Sequence, residues 1–233
     1  MKVSVVIPTL NEETGIGPTL DAIDRQAFAA MGLELEMLVI DGDSQDRTAQ
    51  EAQARGARVV VEPRRGYGRA YKRGFAEATG DIIVTGDADG TYPFDTVHQQ
   101  VRLLLDEGLD FATCDRYADL ADGAMSGLHK LGNGVLSLTT RLLFWLKLRD
   151  SQSGMWVIRR STLEALDIEA LPEGMAFSQA LKVEALRHRD LAAREVPGSL
   201  RPRIGDAVIE SWSDGLGNLW ALWRRRFTGR WPQ

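Results

Sequence analysis

Apolar residues fall along this chain in two rhythms. Residues 3–7, 35–40, 57–61 and 81–85 are short runs rich in Val and Ile, the pattern of strands buried on both faces. Between them, residues 14–27, 46–55 and 67–79 have helical spacing. Strand and helix in alternation predict an α/β fold with a mostly parallel, doubly wound central sheet flanked by helices. The second half is less regular. It predicts helices over 94–107, 130–147, 176–188 and 212–227, strands over 109–114, 155–159 and 191–196, and loops over 115–128 and around Pro202 and Gly205. One domain spanning 1–233 is expected, with a donor half (1–114), an acceptor half (115–210) and a closing amphipathic helix (211–233).

Ligands of such sheets sit at the carboxyl ends of the strands. That rule points to residues 8–13, 41–46 and 87–93, and each segment carries carboxylates. In the third, Asp87 and Asp89 follow a strand directly and are one residue apart, a hard-oxygen pair suited to Mg²⁺ or Mn²⁺. An Asp-rich turn built on Gly90 and Pro93 would use the same residues. In the second, Asp41 stands at the strand tip, whereas Ser44 or Asp46 suits the cap of the next helix. In the first, Glu12 could face a ligand and Glu13 could complement a helix dipole. Three acidic loops after three successive strands converge on one crevice, which is costly unless a cation or ligand joins them.

The net charge of −5 supplies no global field for nucleic acid. A single cysteine, Cys114, excludes an internal disulfide framework and agrees with a reducing cytoplasm. His98, His129 and His188 show no zinc spacing. The apolar run after Lys2 is cut short by Pro8 and Asn11, unlike a signal peptide, and no stretch of ~20 apolar residues suggests a transmembrane helix.

Four blocks together carry a family resemblance. They are Val5-Val6-Ile7-Pro8-Thr9-Leu10-Asn11-Glu12; Val39-Ile40-Asp41-Gly42-Asp43-Ser44 with Asp46 and Thr48; Gly66-Tyr67-Gly68 with Ala70, Gly74 and Ala78-Thr79-Gly80-Asp81; and Asp87-Ala88-Asp89-Gly90 with Pro93. The chain resembles family 2 glycosyltransferases of GT-A fold over nearly its whole length, and more narrowly the dolichyl-phosphate mannose synthase group. The resemblance implies a metal-dependent, inverting transfer of a hexose from a GDP- or UDP-linked sugar to a polyprenyl or dolichyl phosphate. It implies donor contacts from Pro8, Thr9, Glu12, Asp41, Asp43, Gly68, Asp87, Arg201 and Arg203. Metal contacts would come from Asp87, Asp89 and Thr91, and acceptor contacts from Lys130, Gln152 and Ser153. Asp89, Arg116 and Asp150 would stand at the reacting centre. Two departures bear on donor closure and acceptor class. Gly205-Asp206-Ala207-Val208 lacks the lysine that similar proteins carry, and Gln179 and Ala180 stand where many have paired acids.

An obvious general base is missing. A sugar hydroxyl needs one, whereas a phosphate oxygen is already anionic; Asp150 remains the candidate if the acceptor is a hydroxyl. The closing helix sets Leu216, Leu219, Trp220, Leu222, Trp223 and Phe227 beside Arg224-Arg225-Arg226, the composition of a helix at a membrane interface, although a helix packed on the sheet would read similarly. The apolar residues Leu136, Leu142, Leu143, Phe144, Trp145 and Leu146 are expected in the core, with the lining of a lipid groove as the other reading. The expected setting is cytoplasmic, peripheral on the inner face of the membrane. A soluble hydroxyl acceptor is the rival reading. A nucleotidyltransferase is another, but no Gly-rich basic loop follows the first strand to hold a triphosphate.

Overall fold

The computed structural model describes residues 1–205 and 211–232, with side chains of the final helix described from Gly215 onward. The strands are β1 Lys2–Thr9, β2 Glu34–Asp41, β3 Arg58–Val61, β4 Ile82–Thr85, β5 Phe111–Leu120, β6 Trp156–Arg159 and β7 Ala193–Leu200. The helices are α1 Ile16–Asp21, α2 Arg25–Ala30, α3 Thr48–Ala54, α4 Tyr67–Glu77, α5 Val97–Asp106, α6 Gly127–Phe144, α7 Arg160–Ala165, α8 Phe177–Arg187 and α9 Ser211–Thr228. All seven strands form one sheet in the order β3-β2-β1-β4-β6-β5-β7. Neighbours are parallel except around β6, which runs antiparallel to β4 and β5.

The strands are apolar throughout because helices cover both sheet faces. Val3, Val5 and Ile7 of β1 pack with Ile16, Leu20, Phe28 and Val101, on the side of α1, α2 and α5. Val6, between them in sequence, packs on the opposite side with Tyr71, Phe75, Phe177 and Leu181 of α4 and α8. Gly74 allows the close approach of α4, since a Cβ there would run into Val6 and Ile40.

The helix expected over 14–27 is broken. Asp24 takes the amide of Ala27 at 2.9 Å, so it caps a new helix, α2, and cannot continue α1. β5 continues to Leu120, into the expected loop, because β7 offers it a parallel partner to Leu200 across an irregularity between Asp115 and Asp119. α6 ends at Trp145, in the left-handed region at φ 57°. No helix among the described residues is long and apolar enough to cross a membrane.

Candidate functional site

β1 lies between β2 and β4, and the connections leave it in opposite directions, so a crevice opens above the tips of β1 and β4. Thr9 and Asp41 end β1 and β2 in register. The loops beyond them are laced together. Asn11 takes the amide of Gln45 at 2.9 Å and gives its own amide to Ser44 Oγ at 2.9 Å. Glu12 donates its amide to Thr48 Oγ1 at 2.8 Å. This lacing holds Asn11 and Asp43 at φ 54° and 62°, a region their short polar side chains tolerate. Buried Asp41 accepts from Thr9 Oγ1, Ser44 N and Ser44 Oγ, which leaves Oδ2 with acceptor capacity. Asp43 is exposed and Pro8 half-buried. Asp46 accepts from the amide and hydroxyl of Thr48, the capping role the sequence favoured.

Beyond β4, Asp87 lies on the crevice floor and Asp89 is buried beside it. Asp89 Oδ1 accepts from the amide (3.0 Å) and hydroxyl (2.6 Å) of Thr91, so Thr91 fixes the carboxylate with the group expected to meet a metal. Thr19 of α1 pins the turn by donating to Ala88 O at 2.9 Å and accepting from Gly90 N at 3.0 Å. Gly15 lets α1 approach, since a Cβ there would lie 2.6 Å from Ala88 O. Burial, reinforced by the charge of Asp89, pushes Asp87 up to about 7. Burial also raises Glu12 above the usual carboxylate range.

One guanidinium answers these acids. The segment after β7 lies along the turn, with Arg201 N on Thr91 O at 2.9 Å and Ile204 N on Asp89 O at 2.8 Å. This delivers Arg203 between Asp89 Oδ2, at 2.8 Å, and Glu12 Oε1. Arg201, expected beside it on the donor, reaches Asp95 instead at 3.1 Å, because that carboxylate lies just beyond the Thr91 carbonyl to which the Arg201 amide is bound. Gly68 also departs from expectation. It lies where α4 meets α8, and a Cβ would collide with Pro172 O and Phe177, so it serves packing rather than the crevice. Residues 206–208, whose missing lysine the sequence raised, lie outside the described residues.

The other wall is the loop before β6. Arg116 grips the fully buried Asp150 with Nε at 2.6 Å and Nη2 at 2.9 Å, and its own amide adds a bond at 3.2 Å. Burial opposes the charge on Asp150, but Arg116 outweighs it and holds the carboxyl below the usual range. The hydroxyl-acceptor reading had Asp150 available as a base; an acid held ionised in a bidentate pair is a poor one. The carbonyl of Ser153 receives Lys182 Nζ at 2.5 Å and both Ser178 Oγ and Trp156 Nε1 at 2.9 Å. Gly154 donates to Tyr92 OH at 2.6 Å and accepts from Thr85 Oγ1 at 2.8 Å, so the two walls are joined. Gly154 also keeps clear the space beside Asp87: a Cβ there would stand 2.6 Å from Tyr67 OH and 3.4 Å from Asp87 Oδ1. Gln152 donates to Gln179 Oε1 at 3.2 Å and accepts from Asn218 Nδ2 at 3.0 Å. Gln179 closes the circuit on Asn218 O at 2.7 Å, so its neutrality matches two amide partners. Lys130 is exposed on α6, with no side-chain bond or ion pair to these groups.

Thr19, Gly15, Lys182 and Asn218 went unnoticed in the sequence, where none stands in a recognisable motif, and Tyr92 lay inside the 87–93 segment without being given a role. Gln179 was visible as a departure, with Ala180, but not as a partner of this loop, and Ser178 was not singled out.

The donor set suits a divalent cation. Among the described residues no three His, Cys, Asp or Glu side chains gather as ligands. Asp87 and Asp89 would therefore hold such an ion with oxygens of a bound diphosphate completing its shell, and the guanidinium of Arg203 already lies against Asp89, where positive charge is wanted.

The chain is 35% identical over 214 residues to the low-salt glycan biosynthesis hexosyltransferase of Haloferax volcanii, covering 91% of this chain and 51% of that protein. It thus spans about half the length of that relative. It is 32% identical to a dolichyl-phosphate hexose transferase of the same organism, covering 91% of this chain and 88% of the other. Its fold matches glucosyl-3-phosphoglycerate synthase of Mycobacterium tuberculosis, solved with Mn²⁺, UDP-glucose and glycerol 3-phosphate, at TM-score 0.75, 24% identity and coverage of 100% and 81%. The mixed sheet is that of the GT-A fold. Glycosyl transferase family 2 matches residues 4–167, well over half of the sequence, and the chain belongs to that family.

Proposed function

We propose that this protein transfers a hexose from a nucleotide-diphosphate sugar to a polyprenyl phosphate, with inversion at the anomeric carbon. One observation carries the reading: Glu12 from beyond β1 and Asp89 from beyond β4 converge on a single arginine with Asp87 buried beside them, a crevice short of positive charge beside a loop whose own charges are paired. Mg²⁺ or Mn²⁺ bound there would neutralise the diphosphate leaving group.

The chain's own residues divide the remaining work. Asp41, Thr9 and the laced loops hold the nucleoside, with Pro8 and Asp43 at the rim. Arg203 swings from Glu12 and Asp89 to the donor's phosphates. Arg116 keeps Nη1 without a protein partner among the described residues, and this N–H orients the acceptor phosphate. Gln152 and Ser153 shape the acceptor wall, and Lys130 meets the acceptor from α6. No residue need remove a proton, because a phosphate nucleophile is already ionised. The dolichyl-phosphate relative supports the lipid acceptor, and a protein acting from the cytoplasmic face as a peripheral partner of the membrane would meet it there.

A thermal-shift series of nucleotide diphosphates with and without Mn²⁺, followed by transfer assays, tests this. One nucleotide should stabilise the protein strongly with metal, and its sugar should move to a prenyl phosphate. Turnover with a soluble acceptor and none with prenyl phosphate would replace the acceptor; the synthase solved with glycerol 3-phosphate makes that the second reading.

A further inference from the structure

We propose that α6 and α9 together form a docking surface for an anionic lipid bilayer. The proposal deepens the lipid-phosphate reading, although its evidence is separate. Leu128, Leu131, Val135, Leu138, Leu142 and Trp145 are 47–87% exposed, spaced by three and four residues along one side of α6. Residues Leu136, Ser137, Thr140 and Phe144 form its buried side. On the neighbouring α9, Leu216, Trp220, Trp223 and Phe227 repeat the spacing at 50–69% exposure, while Ala221 and Leu222 are buried. A soluble surface rarely presents two such stripes side by side without a use for them.

Charge selects the occupant. Residues 127–149 and 215–232 contain no acid, in a chain whose net charge is −5. They carry Lys130, Arg141, Lys147, Arg226 and Arg230, none of which has an ion-pair partner among the described residues. Arg224 lies over the Trp220 ring at 5.4 Å. Trp145, Arg187 and Arg226 line a cavity of about 220 Å³ at one end of the face, the size and charge for a lipid phosphate. Tryptophan with arginine on an amphipathic helix suits the headgroup layer of an anionic membrane. A second copy suits it poorly, because a two-fold contact would set these cations against themselves.

The buried side of α9 ties this face to the site. Asn218 holds Gln152 and Gln179, so a docked α9 places the acceptor loop against the membrane surface.

The test is co-sedimentation with phosphatidylglycerol–phosphatidylcholine vesicles free of polyprenyl phosphate, against phosphatidylcholine alone. Wild type should bind the anionic vesicles with a blue shift of tryptophan emission, and release them as salt rises. Leu131→Glu and Trp223→Glu should each weaken binding roughly tenfold, and leave thermal stability, nucleotide diphosphate binding and transfer to a short, water-soluble prenyl phosphate unchanged. Wild type that ignores anionic vesicles at low salt, or variants that bind as well, would overturn the proposal. A dimer that these variants dissociate, with no vesicle binding, would assign the face to a second copy instead. Vesicle binding without transfer to any prenyl phosphate would sink the acceptor reading and leave the docking surface standing.

Discussion

At one wall of the crevice, Glu12 and Asp89 share the guanidinium of Arg203 and Asp87 lies beside them with no ion-pair partner among the described residues; at the other, Asp150 has both arms of Arg116 and backbone amides besides. The first arrangement lies on loops and leaves Asp87 pushed up to about 7, by burial and by Asp89. The second is sunk in the sheet, and the Asp150 carboxyl stays ionised against its burial. An acidic centre left short of charge is one prepared for a ligand, whereas Asp150, its oxygens already engaged, holds Arg116 in place. The same residue types therefore do different work according to whether their partners are already present.

The comparison can be broken at either wall. Asp150→Ala should have the largest effect. It strands Arg116 in the core and should cost about 3–5 kcal/mol in denaturant unfolding; a loss below about 1 kcal/mol, the range of a surface pair, would remove the distinction between the walls. Asp89→Ala should leave the fold intact but lower transfer by about 10²–10³-fold, the usual consequence of losing one charge-stabilising contact. It should also abolish the Mn²⁺-dependent part of the nucleotide thermal shift, and an undiminished shift in that variant would relocate the cation.

Lys182 gives a pH test of the acceptor wall. Burial pushes it down to about 7, against the pull of Asp150, from an ordinary value of 10.5. Between those values the unfolded chain binds the extra proton, so this residue makes stability rise with pH, with no slope below about 7. Urea melts across that window should show wild type gaining on Lys182→Met; parallel curves would mean that the ammonium is not desolvated. The smallest effect is expected from Arg203→Gln. Removing a half-buried loop charge should change stability by about 1 kcal/mol or less, while nucleotide-free Mn²⁺ binding by calorimetry should tighten slightly, because a competing cation has gone. Weaker Mn²⁺ binding in this variant would make Arg203 part of the cation site rather than its stand-in.

Much of the fold was legible because strands such as β1 and β4 announce themselves by continuous apolar runs, and the parallel architecture then locates the crevice. Asp41, Asp87 and Asp89 could be assigned to one place on that logic, and they lie beyond β2 and β4, on either side of β1, whereas Arg203 was suggested only by the family resemblance. The split between Arg201, which pairs with Asp95, and Arg203, which pairs with Glu12 and Asp89, depends on where those distant carboxylates lie, and no local pattern records that. Lys182, Thr19 and Asn218 act through contacts between distant parts of the chain, such as Gln179 with Asn218 across 39 residues, and no local pattern records these. The apolar residues of α6 misled in a different way. Helical spacing identifies an apolar side, but it does not say whether protein covers it: Leu136 and Phe144 are buried, whereas Leu138, Leu142 and Trp145 face outward.

The glycine at 154 leaves room for one atom fewer than any other amino acid would require. Its hydrogen faces two phenols and the carboxylate at 87, so a lineage drifting from glycine here would first have to retreat at Tyr67 or Tyr92. Position 154 is thus a ratchet on divergence: the substrate cavity can be reshaped from its rim inward, but hardly from this point outward.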